Sequence, residues 1–452
     1  MGANVLSDFS ATQIIPSSVV PSITKSASGS VFTAGSTITY TLTVCAGSVG
    51  TSGIVTDVLA PEFNPATVVS TDFTVSGSTL TSGSLSLVVG CHTLTYSVQV
   101  PASCCTITLP NCATITYDIS GNILTATACT NIQVSSNATP ITGNISTTGL
   151  IIPITGASLH VSGTLTIDVN TVIQASSICF DQGASIIVPA GRTLDIQTST
   201  LFACNEMWRG ITAEASPTIG GGGILYLKGS TVRDAQYAVK AKENSEIQII
   251  DNHFEDNFVG ILFTTPSPFS PLIITHTIRK NSFIGTGTLH PAYAGQSPAL
   301  SNRPFAGVLA QNVGNIVRVG NNTAGNENTF NGMNAGIITN DVNLVARRNF
   351  FRNIHAIAAY ATYPFNFGNG CGIAACGATG NFTLLQSGFG QAIADPVGFD
   401  DCDAGVFGLQ INSEIQSNNM TNILQYGVIQ RFSQNRTISV FLNRIQSRFI
   451  GI

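Results

Sequence analysis

Charge is what this chain has least of. Only 9% of its 452 residues are Asp, Glu, Lys or Arg, against about a quarter in ordinary globular chains. Lys25 is the only Lys or Arg among the first 150 residues. With a net charge of −5 and no basic run, the chain lacks the electrostatic footprint of a nucleic-acid binder. No run of about 18 apolar residues is present, which excludes a membrane-spanning helix. Residues 1–20 have neither a basic start nor a long apolar core, so they do not read as a signal peptide. Paired Cys-x-x-Cys units are missing, which argues against structural zinc. There is one tryptophan, Trp208, and the scattered histidines form no helix-spaced pair that would suggest a metal site.

What fills the space is Ser, Thr, Gly, Asn, Val and Ile. At 43% hydrophobic content the chain is not disordered, and its β-branched residues predict an all-β protein. From about residue 20 to 134, short runs alternate apolar with Thr or Ser, as in Ser36–Val44, His92–Val100 and Ala113–Tyr117. Alternation of this kind marks half-buried strands, and about seven of them in one segment predict a β-sandwich. Residues 1–19 are read as a separate tail or the end of a preceding module, and 135–156 as a polar linker. Eleven cysteines suit disulfides in an oxidising compartment; the odd number leaves at least one thiol free or paired between chains.

A different pattern governs 157–452. The runs Thr164–Ile167, Thr193–Ile196 and Ile224–Leu227 recur at about one solenoid repeat. Thereafter an apolar strand is followed by Asn, any residue and a large apolar residue, at Asn252, Asn281, Asn328, Asn349, Asn418 and Asn443. A second series, Gly210-Ile211, Gly260-Ile261, Gly307-Val308, Gly336-Ile337 and Gly427-Val428, accompanies it. Together they predict a parallel β-helix in which Asn takes the left-handed conformation at one corner and stacks in a ladder, while Gly admits another corner.

Three resemblances can be attached to these residues. "ITYTLTVCAGSVGTSGIVTDVLAPEF", with Tyr40–Val44 and Val55–Leu59, together with "NCATITYD" at Asn111–Asp118, resembles an Ig-like bacterial surface "conserved repeat domain". The resemblance implies a spacer. The repeating half resembles right-handed β-helices of the pectin-lyase-like superfamily. "CNEMWRGI" followed by "STVRDAQYAV" resembles large secreted surface proteins of Bacteroidota, which implies type IX secretion and a place outside the cell.

Candidate sites are few. Asp400, Asp401 and Asp403 flank Cys402 in a segment, about 361–403, that interrupts the repeats. Clustered carboxylates are the residue types that hold Ca²⁺ or work as acid and base. The plainer reading is a solvated protrusion stapled by Cys371, Cys376 and Cys402. Of the polygalacturonase motifs, only the Asp-Asp pair Asp400-Asp401 is present. Asp251, Glu255 and Asp256 with Arg233 and Asp234 form a second acidic group, read as solvated turn residues. Trp208 is either a sugar-stacking platform or a buried anchor. Cys179 and Cys204 lie about one repeat apart and suit a bridge between coils. No catalytic residue is assigned, and no cofactor is implied beyond a Ca²⁺ at the aspartates. The expected function is a non-catalytic extracellular scaffold for adhesion or assembly, with filament formation by end-to-end stacking as one form. Its partners would be other surface proteins, copies of itself or extracellular polysaccharide. The alternative is a carbohydrate-active or polysaccharide-binding protein on the same fold.

Overall fold

A computed structural model describes residues 20–46, 51–119, 121–264, 274–287, 289–296, 303–314, 316–363, 366–377, 381–385, 398–431 and 436–448; for 366 and 381–385 it describes the backbone only. The expected tail 1–19 lies outside the described residues. The chain divides into two compact units, Met1–Asn137 and Ala138–Ile452.

In the first unit, alternation builds sheets that are antiparallel except at the short Val31–Phe32 edge, which pairs in parallel with Asn122–Val134. Ser22–Ala27, Thr37–Ala46 and Gly90–Gln99 form one sheet. Val31–Phe32, Asn122–Val134, Ile107–Ile119, Thr51–Val58, Thr79–Ser82 and Phe73–Ser76 form the other, with Leu85–Leu87 added to Thr51–Val58. Every second residue of Thr37–Ala46 from Ile38 onward is buried, and the inward residues of both sheets join one apolar core. The disulfides Cys45–Cys91 and Cys112–Cys129 each tie residues directly opposite on neighbouring strands.

The second unit is a solenoid of parallel strands, compatible with a parallel β-helix. One turn runs Thr231–Arg233, Tyr237–Ala241 and Glu246–Ile250, then begins again at His253–Glu255. Each strand pairs in parallel with its counterpart one turn on. Two of the three faces merge into a 21-stranded sheet that curls nearly closed; the third face is a six-stranded sheet followed by a five-stranded one. An unbroken inward column stacks Leu159, Ile178, Leu201, Val232, Phe254, Phe283, Phe330, Phe351, Phe399, Met420 and Ile445 in register. Its phenyl rings lie nearly parallel with centroids 4.7 to 4.9 Å apart, about the strand spacing of a sheet.

The ladder exists, with a different division of labour from the one expected. Asn252 N–H donates to Asn281 Oδ1 at 3.0 Å, Asn281 N–H to Asn328 Oδ1 at 3.0 Å, and Asn418 N–H to Asn443 Oδ1 at 3.0 Å. Asn328 Nδ2 donates to Asn349 Oδ1 at 3.0 Å. The left-handed residue is the one before the Asn: Asp251, Lys280, Arg348, Ser417 and Leu442 have φ between 51° and 62°. Asn is selected because its amide takes the backbone N–H of the turn below and returns a hydrogen bond to a third-face carbonyl, as Asn281 does to Ile249 at 2.9 Å. In the first turns Ser fills the same place, with Ser176, Ser199 and Ser230 accepting in succession.

Apart from Gly210, which opens its strand at φ +98°, the glycine series is also not at corners. Gly307 lies inside Ala306–Gln311, and a Cβ there would sit 2.3 Å from Phe330 Cδ1. Gly260, Gly336 and Gly372 repeat this relation with Phe283, Phe351 and Phe399. The missing side chain is the socket for the ring of the next turn.

Three other expectations change. Thr164–Thr166 belongs to a different face from Thr193–Gln197, whose predecessor is Thr171–Gln174. Thr139–Asn144, expected in a linker, pairs in parallel with Ser158–Thr166. Within 361–403 the described stretches Cys371–Cys376, Asn381–Leu385 and Phe399–Cys402 are turn strands and are not stapled by these cysteines, while 364–365, 378–380 and 386–397 lie outside the described residues. Cys371, Cys376 and Cys402 are free thiols, with Cys371 and Cys402 buried and burial pushing their thiols up, to about 12 for Cys371. Cys371 and Cys402 occupy small-residue core positions, which the Gly-rich composition disguised as a loop, and Cys376 is half-buried at the end of its strand. Cys104, Cys105, Cys179 and Cys204 are disulfide-bonded.

Candidate functional site

The aspartates singled out in the sequence do not converge. Asp400 Oδ1 accepts from Thr421 Oγ1 at 3.1 Å and Asn422 Nδ2 at 2.7 Å. Asp401 and Asp403 instead flank His355, at 3.4 Å from Nε2 and 3.0 Å from Nδ1. Asp403 Oδ2 also accepts the Ala356 N–H at 2.7 Å. Among the described residues, neither the three carboxylates nor His355 with two of them bring three ligand atoms within 4.8 Å of one another. These acids close turns. His160 and Asp181 do approach Cys204 in this way, but that sulfur is oxidised.

Trp208 is the buried anchor. It has no exposed surface, stacks on Phe180 at 3.8 Å between centroids, and donates Nε1–H to the Arg233 carbonyl at 2.9 Å. No face of it is open to a sugar.

Around the second acidic group, Lys280 pairs with Asp251 at 2.9 Å, and Asp256 takes the Thr286 N–H at 2.8 Å. Asp234 is not the solvated turn residue expected. Only 6% of it is exposed. Burial pushes its carboxyl up to about 7; Arg233 opposes the rise, and Asp256 and Glu255 add to it. His290 Nε2 lies 3.8 Å away, and burial with the nearby Arg233 holds that imidazole below the ordinary range.

The feature that sequence reading missed is a cleft on the third face. It encloses about 250 Å³ and is lined by Arg318, Gly320, Asn321, Asn322, Val345 and Arg347. Arg318 and Val345 are register partners in adjacent strands, so both point outward, and Arg347 follows two residues later on the same side. Gly320, at φ +81°, lets the chain turn beneath the Arg347 carbonyl, 1.9 Å from where a Cβ would stand. His276 holds the Arg318 backbone: its Nδ1–H donates to the Ile274 carbonyl at 2.8 Å and its Nε2 accepts the Arg318 N–H at 2.8 Å. Burial holds this imidazole below the ordinary range, in the neutral form that Nε2 acceptance requires. Arg347 Nη1 donates to Asn322 Oδ1 at 2.6 Å, and its Nε is buried without a partner. Among the described residues no carboxylate pairs with either arginine, in contrast to Arg233 and Arg348. Two unneutralised guanidiniums beside two amides can hold an oxyanion and neighbouring hydroxyls. The available signal was two arginines at outward strand positions in a chain with few, but which positions become neighbours depends on the register.

No family profile and no curated protein matches the chain. Among solved structures it is similar, over 26% of its length, to BslA, described as a bacterial hydrophobin, at 19% identity, a TM-score of 0.19 and 96% of that chain. It is also similar to the sporulation control protein Spo0M from Bacillus subtilis, at 13% identity, a TM-score of 0.16 and 50% of that chain, again over 26% of its own length. A third similarity, over the same share of this chain, is to a GH20 exo-β-N-acetylglucosaminidase from Vibrio harveyi, at 12% identity, a TM-score of 0.16 and 18% of that chain.

Proposed function

We propose that this protein is a non-catalytic extracellular scaffold. In this reading an Ig-like spacer precedes a right-handed, pectin-lyase-like β-helix that presents surface for adhesion or assembly. The supporting observation is the uninterrupted inward column from Leu159 to Ile445 with its side-chain ladders. A solenoid stacked so regularly makes a stiff support, and Asp400, Asp401 and Asp403 are spent on closing turns rather than gathered at one point. Eight oxidised cysteines fit an oxidising compartment, and among the described residues no helix is long and apolar enough to cross a membrane.

A second reading, polysaccharide binding, is favoured by the cleft of Arg318 and Arg347. Its volume lies below the roughly 300–1,000 Å³ of a drug-sized pocket, which suits one acidic sugar unit of a chain. One experiment addresses both readings. The protein is incubated with a polyuronate and with a neutral glucan, and retention and the release of reducing or unsaturated ends are followed together. The scaffold reading expects no release from either polymer. Release that disappears in Asp400→Asn, Asp401→Asn or Asp234→Asn would overturn it. Retention by polyuronate alone, lost in Arg318→Gln/Arg347→Gln, would establish the binding role; equal behaviour on both polymers would remove it.

A further inference from the structure

The lone cation of the first 150 residues is not on the surface. On Ser22–Ala27 the inward positions are Ile23 and Lys25, and the Lys25 side chain has no exposed surface. Alternation on Thr51–Val58 turns Asp57 inward, also with no exposure. The two strands belong to different sheets of the unit, and Lys25 Nζ meets Asp57 Oδ2 in the core between them. Tyr96 O–H donates to the same oxygen at 2.8 Å and accepts from Asn111 Nδ2 at 2.7 Å. The Tyr40 ring lies 4.9 Å from Nζ. Asp57 Oδ1 is buried without a partner.

A charged pair in such a place is poorly paid for. Taking both ions out of water costs more than one contact returns unless every lone pair is satisfied, and here one carboxylate oxygen is not. Few routes relieve the site completely: proton transfer neutralises the pair, and condensation removes it.

We propose that Lys25 and Asp57 join in an intramolecular amide bond that links the two sheets covalently. The neutral amine of Lys25 attacks Cγ of the protonated Asp57 carboxyl. The Nζ–Cγ bond forms, one Cγ–O bond breaks, and the departing oxygen leaves as water, carrying the carboxyl proton and one proton from the amine. No oxidant, reductant or co-reactant enters. Tyr96 O–H, fixed by Asn111, donates to the carboxyl oxygen on which negative charge develops in the tetrahedral intermediate. The surroundings move both groups toward the protonation states the step needs. Burial lowers Lys25 to about 8 against the pull of Asp57, and burial raises Asp57 against Lys25 and Tyr96. Burial, with the Asp57 charge, also holds the Tyr96 phenol well above its usual range, so it stays a donor. The dry core excludes the water that would reverse the reaction, and proximity supplies the effective concentration.

The test is the mass of the full chain after reduction and alkylation in denaturant. The expected mass is that of the sequence with alkylated cysteines less one water. A peptic digest should contain a branched peptide joining the Ser22–Ala27 region to the Thr51–Val58 region. Three results would overturn the proposal: the full sequence mass; a deficit of one ammonia with the branch at Asn111; or a water deficit confined to a linear peptide, as an aspartyl imide would give. Lys25→Met should restore the full mass. The wild-type measurement decides even if that variant does not fold.

Discussion

At the scale of single residues, the ladder position is where chemistry and fold meet. Asn281 accepts the Asn252 N–H and donates to the Ile249 carbonyl. Both groups are buried, so Asn281→Ala leaves two polar atoms without partners, at roughly 1–3 kcal/mol each. Asn281→Ser should cost less, because serine accepts the equivalent N–H at Ser176, Ser199 and Ser230. Urea melting of the two variants checks this; equal losses would mean that the N–H acceptor is not what the position supplies. The Asn repeat was legible because the same amide must recur in every turn. Which residue bends the backbone was not, since Asp251, Lys280, Arg348 and Leu442 share nothing except their place before the ladder residue. The glycines were visible as a series, yet their purpose became readable only once register set Gly307 against Phe330.

At the scale of one element, the turn holding Asp234 carries a pH dependence. Free in an unfolded chain, an aspartate titrates near 3.9; here burial holds it at about 7. Between those values the folded form keeps a proton that the unfolded form has lost. This contribution to stability is therefore complete below the unfolded value, declines as pH rises toward 7, and is flat above it. Asp234→Asn keeps a residue tolerant of φ +62° and removes the titration. Thermal melting should show the variant gaining on the wild type as pH rises from about 4 to about 8; a constant difference would mean Asp234 is already ionised when folded. Sequence gave no hint of this burial, because an acid in a polar turn looks solvated until Trp208, His290 and the next turn close around it. The described strands within 361–403 escaped notice in the same way. Their Gly and Cys residues read as a loop, whereas small side chains are what a strand beside the Phe399 ring requires. Asp400, Asp401 and Asp403 looked like a cluster in sequence, and the bend at Asp401, φ +54°, separates Asp400 from the other two.

At the scale of the molecule, the solenoid tests how far one turn supports the next. In a quasi-one-dimensional array, cooperativity passes through neighbouring interfaces. Here it passes through an inward column without a gap from Leu159 to Ile445 and rings stacked from Phe254 to Phe399. Two buried reporters lie far apart along it. Trp208 is the sole tryptophan, and Cys402 is a free thiol with no exposed surface. In denaturant without reductant, Trp208 fluorescence and alkylation of Cys402 should change over the same range, since the inward column between them has no gap. Phe351→Ala removes the ring between Phe330 and Phe399 and leaves a cavity worth about 3–5 kcal/mol. That loss falls on one interface, so the turns beyond it should open first. Cys402 should become reactive at lower denaturant than is needed to release Trp208. If the wild-type transitions were already separate, the column would not couple the turns. If they stayed together in Phe351→Ala, the coupling would run through the backbone ladders and the asparagines, with the phenyl stack adding stability locally.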